Sequence, residues 1–276
     1  MKVTIITTCL NRAPFIKDAM QSVIEQDYTD IEYIIVDGNS SDGSKEIISE
    51  FIAEHNNNDE WRKKHSDFSF KFICEPDNSL YEALNKGISV ATGDIIGMVH
   101  SDDYLYDCHT IRDVVSFFNK TNADFVYANG LYVDSDNTQK IVRNWISSPY
   151  ARWKIRWAWL PLHTTCYVTR KAMNEIGPYN EKYKIASDTD FLIRALFEHR
   201  YKIEYLKRYV VTMRMGGVST SCKRLGIMWK EDVEIFRDHG FPPVTSKIIK
   251  MLRKVPQFIT ARLLPNKILE NKWHKR

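Results

Sequence analysis

The stretch Asp94-Ile-Ile-Gly-Met-Val-His-Ser-Asp-Asp-Tyr104 decides the fold. Its short apolar run is typical of a strand that is buried on both faces. The run ends in Asp102 and Asp103, so two adjacent carboxylates stand where the strand should leave the sheet. Two carboxylates repel each other unless a cation lies between them, and hard oxygen ligands suit Mg²⁺ or Mn²⁺. The alternative is a loop in which an aspartate caps the following helix.

The segments before this stretch alternate between strand-like and helix-like patterns. Strands are predicted at 3–8, 32–37 and 68–74, and helices from Pro14, over 44–53 and over 80–90. This alternation predicts right-handed crossovers between parallel strands. We therefore expect an α/β fold with a mostly parallel central sheet flanked by helices. Ligands of such sheets bind outside the carboxyl ends of the strands, so the aspartate pair predicts a metal and phosphate site.

The composition is that of an ordinary globular protein, with 43% hydrophobic and 27% charged residues in a chain of 276. The five cysteines are scattered and form no Cys-x-x-Cys pair, which argues against a zinc ribbon or a disulfide framework and indicates a reducing compartment. No secretory signal precedes the first strand, and no apolar run approaches the roughly 18 residues of a membrane span. We expect a cytoplasmic protein.

The net charge of +4 conceals a basic C-terminal segment. Residues 241–276 contain nine Lys or Arg and one Glu, which gives +8, so the first 240 residues sum to −4. Within this segment a helix is predicted over 246–255, with its apolar residues on one face and its basic residues elsewhere. Such a helix is typical of peripheral contact with a membrane surface, here the inner membrane face, or of packing against the body with a solvated basic edge. We expect no nucleic-acid partner.

The first half of the chain lacks the glycine motifs of the usual nucleotide-binding folds. No Gly-x-Gly-x-x-Gly follows the first strand, and no Gly-x-x-x-x-Gly-Lys-Ser/Thr loop occurs. Carboxylates stand where those folds have glycines. A nucleotide still fits this pattern, because Asp37 can accept a hydrogen bond from a base and a metal at Asp103 can bridge a diphosphate.

Four consecutive motifs resemble glycosyltransferase family 2. They are Thr7-Thr-Cys-Leu-Asn-Arg12, Tyr33-Ile-Ile-Val-Asp-Gly-Asn-Ser-Ser-Asp-Gly43, Asp77-Asn-Ser-Leu-Tyr-Glu-Ala-Leu-Asn-Lys-Gly87 and the run from Ala91-Thr-Gly-Asp94 through Ser101-Asp-Asp103. The resemblance covers residues 1–220 and is greatest to members that build bacterial polysaccharides. It implies a GT-A fold, with a nucleotide-sugar half at 1–104, an acceptor half at 105–220 and a basic helical extension at 221–276.

The resemblance also implies ligands and residue roles for the first half. Ser101-Asp102-Asp103 corresponds to the family's Asp-x-Asp motif, so Asp103 would be the chief ligand of Mn²⁺ or Mg²⁺, with Asp102 close to it. The donor would be a nucleotide-sugar, with a UDP-sugar favoured by family analogy. Its binding residues would be Thr8, Asn11, Arg12, Asp37, Asp77 and Asp102.

The stretch from Trp145 to Trp159 is dense in aromatic and basic residues, among them Trp157. One interpretation is a platform for a glycan or lipid-linked acceptor, because aromatic rings stack on sugars and cations bind phosphate. The alternative is a core segment whose basic residues extend to solvent. His163 follows in a segment that resembles the family's acceptor face, although a lone histidine is usually structural.

Ser187-Asp-Thr-Asp190 stands directly before a strongly helical segment. It resembles the family's Glu-Asp-x-Asp motif, whose second residue is the catalytic base, which implies that Asp188 is the base and that Asp190 supports the site. The alternative is an acidic helix N-terminus. Gly216 and Gly217 form a loop that either closes over the diphosphate or serves as a plain hinge.

Together these features predict a metal-dependent inverting glycosyltransferase of hexosyl or N-acetylhexosaminyl type. Asp188 would take the proton from the acceptor hydroxyl in a single displacement, in the synthesis of a bacterial surface polysaccharide. One alternative is a non-catalytic nucleotide- or sugar-binding protein of the same fold. A nucleotidyltransferase is a further alternative, but it should show a glycine-rich basic loop early in the chain.

Overall fold

The structure is a computed structural model that describes residues 1–216 and 222–261, with the backbone alone for residues 222–224. Nine strands in these ranges form one sheet. They are β1 (Val3–Cys9), β2 (Ile31–Asp37), β3 (Ser69–Cys74), β4 (Ile95–Met98), β5 (Tyr104–Leu105), β6 (Phe125–Val133), β7 (Ile141–Trp145), β8 (Tyr167–Thr169) and β9 (Ile203–Arg214).

Helices connect and flank these strands. They are α1 (Ile16–Ile24), α2 (Ser44–Asn56), α3 (Asp59–Lys64), α4 (Leu80–Ser89), α5 (Thr110–Thr121), α6 (Arg152–Ile155), α7 (Arg170–Ile176), α8 (Ser187–Ile193), α9 (Cys222–Asp238), α10 (Pro243–Leu252) and α11 (Val255–Ala261). A 3₁₀ turn spans His163–Thr165, and α8 continues into a π-helical turn at Arg194–Glu198. No helix in the described part of the chain is long and apolar enough to cross a membrane.

The strand order is β3-β2-β1-β4-β8-β6-β9-β5, with β7 paired to the free part of β6. The first four strands are parallel, which confirms the crossovers predicted from the first half of the sequence. The second half is mixed, because β8 runs antiparallel to both β4 and β6 while β6 and β9 are parallel. The change of direction falls between β4 and β8, next to the aspartate pair.

Two apolar layers cover the sheet. All seven residues of β1 and of β2 are buried, as expected for β-branched strands with helices on both faces. Successive side chains of β1 point to opposite faces, so Ile5 packs with the residues of α1 and α5 while Ile6 packs with those of α4, α7 and α8. This double burial fixes the register of the central strands.

The register of β1, β2 and β4 places their carboxyl ends together. Cys9 lies opposite Asp37, and Ile6 lies opposite Met98. The chain that follows β4 therefore emerges beside the end of β1. The loop after each of these strands contributes to one edge of the sheet, where the predicted donor site was placed.

The C-terminal helices pack on the second half of the body. Ile235, Phe236 and Phe241 belong to the same apolar core as α8. The predicted face of α10 is inverted, however: Lys247 is buried, whereas Ile248 and Leu252 are exposed. Helix α10 therefore packs on the body, as one of the two alternatives expected, but it does so largely through Lys247 and Ile249 and leaves most of its apolar face exposed.

Gly93 and Gly226 give a matched test of packing. A Cβ on Gly93 would lie 2.6 Å from the backbone nitrogen of Thr4, whereas one on Gly226 in α9 meets no atom within 4 Å. We predict that Gly93→Ala destabilises the fold by about 1–3 kcal/mol through overpacking. Gly226→Ala should stabilise it by about 0.5–1 kcal/mol, because alanine loses less backbone entropy in a helix. Urea unfolding of both variants checks this, and equal stabilities would contradict the packing of Gly93 on β1.

Candidate active site

The loops after β1 and β2 are tied together by hydrogen bonds. Asn11 has φ 53°, in the left-handed region that asparagine tolerates. Its backbone N–H donates to Ser40 Oγ at 2.8 Å, and its Oδ1 accepts from the N–H of Ser41 at 2.9 Å. Thr8 Oγ1 lies 3.4 Å from His100 Nδ1, so the end of β1 also contacts the loop after β4. The three loops form one polar rim.

Asp37 is completely buried at the end of β2. Its two carboxylate oxygens accept hydrogen bonds from the N–H and the Oγ of Ser40, each at 2.7 Å. Burial, together with the charge of Asp37, raises the pKa of the neighbouring Cys9 thiol to about 12. Asp37 therefore organises the turn that follows β2, and its predicted contact with a base stays a prediction.

Asp77 offers an unused acceptor beside this turn. Its Oδ2 is buried and has no hydrogen-bond partner among the described residues. A Cβ on Gly38 would lie 2.4 Å from that oxygen, so a larger residue there would displace the carboxylate. Burial raises the pKa of Asp77, although Lys86 lowers it. A buried acceptor without a donor is costly unless a ligand supplies one, and a base N–H fits that need.

Asp102 and Asp103 stand together after β4, as predicted. Asp103 is 2% exposed, and its Oδ1 accepts from the backbone N–H of Arg214 at 3.2 Å. Its Oδ2 is buried and has no partner among the described residues. Asp102 is half-buried and lies 3.8 Å from Arg12 Nε. Burial and the charge of Asp102 raise the pKa of Asp103 well above its usual range.

This carboxylate pair fits a divalent cation. The unpartnered Oδ2 of Asp103 and the repulsion from Asp102 are what an oxygen-seeking cation relieves. No group of three or more His, Cys, Asp or Glu side chains that could hold a metal occurs in the part of the chain that the structure describes. Mg²⁺ is commonly held by one or two carboxylates together with substrate phosphates and water. The chain would thus supply two carboxylates and the substrate the remaining oxygens.

Arg214 closes the other side of the aspartate pair, and the sequence did not single it out. Its Nη1 donates to the backbone oxygen of Asp102 at 3.1 Å, and its Nη2 pairs with Asp18. The guanidinium lies over the rings of Phe15 and Tyr104, at 5.3 and 5.1 Å from their centroids. No local pattern could reveal this contact, because its partners lie more than 100 residues away.

Asp188 lies in the first turn of α8 and is half-buried. Its Oδ1 accepts from the N–H of Thr189 at 2.8 Å. The preceding loop is fixed by Glu231 of α9, whose carboxylate accepts from three successive backbone N–H groups at 2.8–2.9 Å. These belong to residues 184–186. No pattern in the sequence indicates this support, since Glu231 lies in an ordinary helical segment.

A buried ion cluster lies directly behind Asp188. Asp232 is fully buried and binds Lys247 Nζ at 2.5 Å and Lys250 Nζ at 2.7 Å. Lys250 also donates to Thr189 Oγ1 at 2.6 Å. Burial would lower the pKa of Lys250, but the charges of Asp232 and Asp188 outweigh it and raise that pKa. Helix α10 is therefore attached to the residue that follows Asp188.

The aspartate pair and Asp188 both lie near Tyr132 and His100, and the region around these two side chains is the candidate cleft. Tyr132 of β6 lies within electrostatic reach of both Asp103 and Asp188; its pKa rises to about 12, chiefly through burial and against the effect of Arg143. His100 is similarly placed between Asp102 and Asp188, whose charges raise its pKa against the stronger lowering by burial. The structure therefore brings the predicted donor site and the predicted base together.

His163 has the surroundings of a core histidine. It is 7% exposed, its Nε2 lies 2.6 Å from the hydroxyl of Tyr179, and its ring meets that of Phe191 edge-on. Burial lowers the pKa of His163 to about 4, although the charge of Asp188 raises it. The ring is neutral at pH 7. Contact with an acceptor stays a prediction.

The remaining predicted residues lie at different distances from the cleft. Asp190 is buried and paired with Arg194 and with His239, each at 2.9 Å, so it ties α8 to the end of α9, which His239 follows directly. Trp157 is 56% exposed, and its backbone oxygen accepts a hydrogen bond from Arg253, the residue after α10. Gly216 has φ 106° and no atom within 4 Å of a Cβ built on it. Gly217 lies outside the described residues.

An open groove elsewhere contains none of the predicted site residues. Its volume is about 750 Å³, and it lies between α1, α3 and the loop before α5. Among its lining residues are Gln21, Asp27, Trp61 and His109. The carboxyl edge of the sheet, rather than this groove, holds the unpartnered carboxylates.

The model of Glycosyl transferase family 2 matches residues 4–181. The chain belongs to glycosyltransferase family 2. It is 24% identical over 288 residues to the PGL/p-HBAD biosynthesis glycosyltransferase of Mycobacterium bovis (strain BCG / Pasteur 1173P2), across 99% of this chain and 97% of that relative. It is 26% identical over 229 residues to the hyaluronan synthase of Pasteurella multocida, across 83% of this chain and 22% of the synthase.

Solved structures of glycosyltransferases share the fold. The structure of S. aureus TarS 1-349 in complex with UDP-GlcNAc matches with a TM-score of 0.65 and 17% identity, over 97% of this chain and 83% of that one. The mannosyltransferase PcManGT from Pyrobaculum calidifontis, in complex with GDP-Man and Mn²⁺, matches with a TM-score of 0.62 and 18% identity, over 97% of this chain and 78% of that one. The predicted GT-A fold is confirmed.

His163 generates a testable pH dependence of stability. Its pKa of about 4 in the folded protein lies below the usual value near 6.5, so the unfolded chain binds the proton first. Its contribution to stability is complete above about pH 6.5 and is lost as the pH falls towards 4, by about 3 kcal/mol. We predict that the free energy of unfolding of His163→Gln falls less over this window than that of the wild type. Urea unfolding at several pH values measures it, and parallel curves would contradict the assignment.

Proposed function

We propose that this glycosyltransferase is metal-dependent and inverting, and that it moves a sugar from a nucleoside-diphosphate sugar to a hydroxyl of a glycan or lipid-linked acceptor. The observation that carries the proposal is the placement of two sets of carboxylates around the same two side chains, Tyr132 and His100. Asp103 and Asp188 both lie within electrostatic reach of Tyr132. One set is suited to a cation and a diphosphate, and the other is suited to proton transfer.

On the donor side, we assign the nucleotide to the rim formed by the loops after β1, β2 and β4. Asp77 has an unused buried oxygen for a base N–H, and Arg12 lies beside Asp102 where a phosphate would approach. The structures of TarS contain UDP or UDP-GlcNAc, and that of PcManGT contains GDP-Man. For this chain we favour a UDP-sugar. When bound to Asp103 and Asp102, Mn²⁺ or Mg²⁺ neutralises the charge that develops on the leaving diphosphate. Thr8, Asn11 and Asp37 are the other residues that we assign to binding of the nucleotide-sugar.

On the acceptor side, Asp188 takes the proton from the attacking hydroxyl. The hydrogen bond from Thr189 N–H fixes one carboxylate oxygen, and the half-exposed position leaves the group accessible from the cleft. Attack on the anomeric carbon and departure of the diphosphate occur in one step, which inverts the configuration. No covalent intermediate forms, so the site needs no nucleophilic Ser or Cys.

The acceptor is proposed by class. The relatives' names include a PGL/p-HBAD biosynthesis glycosyltransferase, a hyaluronan synthase and a chondroitin synthase, which supports an acceptor in glycolipid or polysaccharide synthesis. We propose transfer of a hexosyl or N-acetylhexosaminyl group during synthesis of a bacterial surface polysaccharide, in the cytoplasm and peripherally at the inner membrane face. Residues 1–104 would form the donor half and 105–220 the acceptor half, with 221–276 as the extension that supports Asp188.

The role of Asp188 as the catalytic base can be tested by substitution. Asp188→Asn keeps the shape and the Thr189 hydrogen bond but cannot accept a proton, so kcat should fall by roughly 10²–10⁴-fold. Nucleotide binding, measured by thermal shift, should stay unchanged. Asp136→Asn, at the exposed hairpin after β6, is the matched control and should keep full activity. Retained turnover in Asp188→Asn would remove Asp188 from the mechanism.

A second prediction concerns the cation. A thermal-shift panel of nucleoside diphosphates and nucleotide-sugars, with and without Mn²⁺, should reveal one nucleotide that stabilises the wild type through mass action. Asp103→Ala should lose the Mn²⁺-dependent part of that stabilisation. Asp136→Ala should retain it. A panel without any shift would support a non-catalytic protein instead.

A further inference from the structure

Helices α10 and α11 present their apolar side chains to solvent. Seven large apolar side chains of these two helices are between 44% and 63% exposed: Val244, Ile248, Met251, Leu252, Val255, Phe258 and Ile259. Helices of a globular protein normally turn this stripe towards the core. A contiguous apolar face of this kind marks an interaction surface.

The ion cluster behind Asp188 fixes this orientation. Lys247 and Lys250 point inward to Asp232, which is buried and would lie unpaired if the helix were rotated. Helix α11 is held by Arg143 of β7, whose Nε donates to Gln257 at 2.6 Å while its guanidinium lies over the ring of Phe258. The outward face is therefore built into the fold.

The face continues onto the aromatic and basic segment that contains α6. Arg253, the residue after α10, donates from Nε to the backbone oxygen of Trp157 at 3.1 Å, so the end of α10 and this segment touch. Trp153 is 63% and Trp157 is 56% exposed. Exposed tryptophans beside apolar helices are typical of the interface between a membrane and water.

The charge of this surface distinguishes between two possible partners, a second copy of the chain and a lipid bilayer. The stretches 145–160 and 243–261 contain seven Lys or Arg, of which Lys247 and Lys250 point inward to Asp232, and no Asp or Glu. Arg152, Arg156 and Arg253 are exposed on this surface. A second copy docked by the same face would bring like charges together, whereas an anionic lipid surface complements them.

We propose that this face, formed by the exposed apolar side chains of α10 and α11 with Trp153 and Trp157, docks on an anionic lipid bilayer. The proposal deepens the proposed function and rests on it for its purpose. Lys250 links the docking helix to Thr189, so docking would hold the Asp188 side of the cleft near the surface that carries a lipid-linked acceptor.

Vesicle sedimentation of the full chain tests the docking. The protein should bind phosphatidylcholine vesicles that contain phosphatidylglycerol, bind pure phosphatidylcholine more weakly, and dissociate as salt is raised. Leu252→Ser/Ile259→Ser should lower the partition by at least about tenfold, since each lost apolar group weakens insertion. Val90→Ser, an exposed apolar residue at the end of α4, is the control and should bind normally. Thermal unfolding should show all variants folded.

Several outcomes would overturn the docking proposal. They are absence of vesicle binding, equal binding to neutral and anionic vesicles, and unchanged binding of the double variant. Light scattering that shows a dimer in the wild type and a monomer in Leu252→Ser would assign the face to a second copy. Transfer to a soluble acceptor is measured in parallel. If the wild type transfers sugar but does not bind vesicles, the docking proposal is wrong and the proposed function stands. If it binds vesicles but transfers no sugar, the proposed function is wrong and the docking proposal stands.

Discussion

Two adjacent acidic residues of α9, Glu231 and Asp232, hold the second half of the site in place. Glu231 accepts three backbone N–H groups of the loop before Asp188, and hydrogen bonds to a charged group contribute about 1.5–3 kcal/mol each. Asp232 binds two buried lysines, and removal of one partner from such a cluster costs about 3–5 kcal/mol. The position of the candidate base and the rotation of α10 therefore depend on one dipeptide.

The donor half depends on a different constraint, the parallel register of β1, β2 and β4. Burial on both faces allows one register, and that register places three polar loops along one edge. Asp103 is buried there with one oxygen unpartnered among the described residues, at an energetic cost that a bound cation would remove. A site of this kind lowers the stability of the free protein and raises its affinity for a charged ligand.

Local patterns in the sequence were enough to predict the first half. Buried strands, helical periodicity and the positions of Asp102 and Asp103 after β4 depend on near neighbours in the chain. Arg214 and Glu231 escaped prediction because their partners are distant in the chain: Asp102 lies 112 residues from Arg214, and Lys184 lies 47 residues from Glu231. The inverted face of α10 escaped because an amphipathic pattern assumes that apolar residues turn inward, whereas a buried Asp232 attracts the lysines instead.

The central claim is that carboxylates from the two halves act on one sugar in a single displacement. The anomeric configuration of the product, read from proton NMR coupling constants with the donor that stabilises the protein, tests this claim most directly. A donor linked in one configuration should give a product of the opposite configuration from the first turnovers onward. A product that retains the donor's configuration would contradict the role of Asp188 and require a different arrangement of the chemistry.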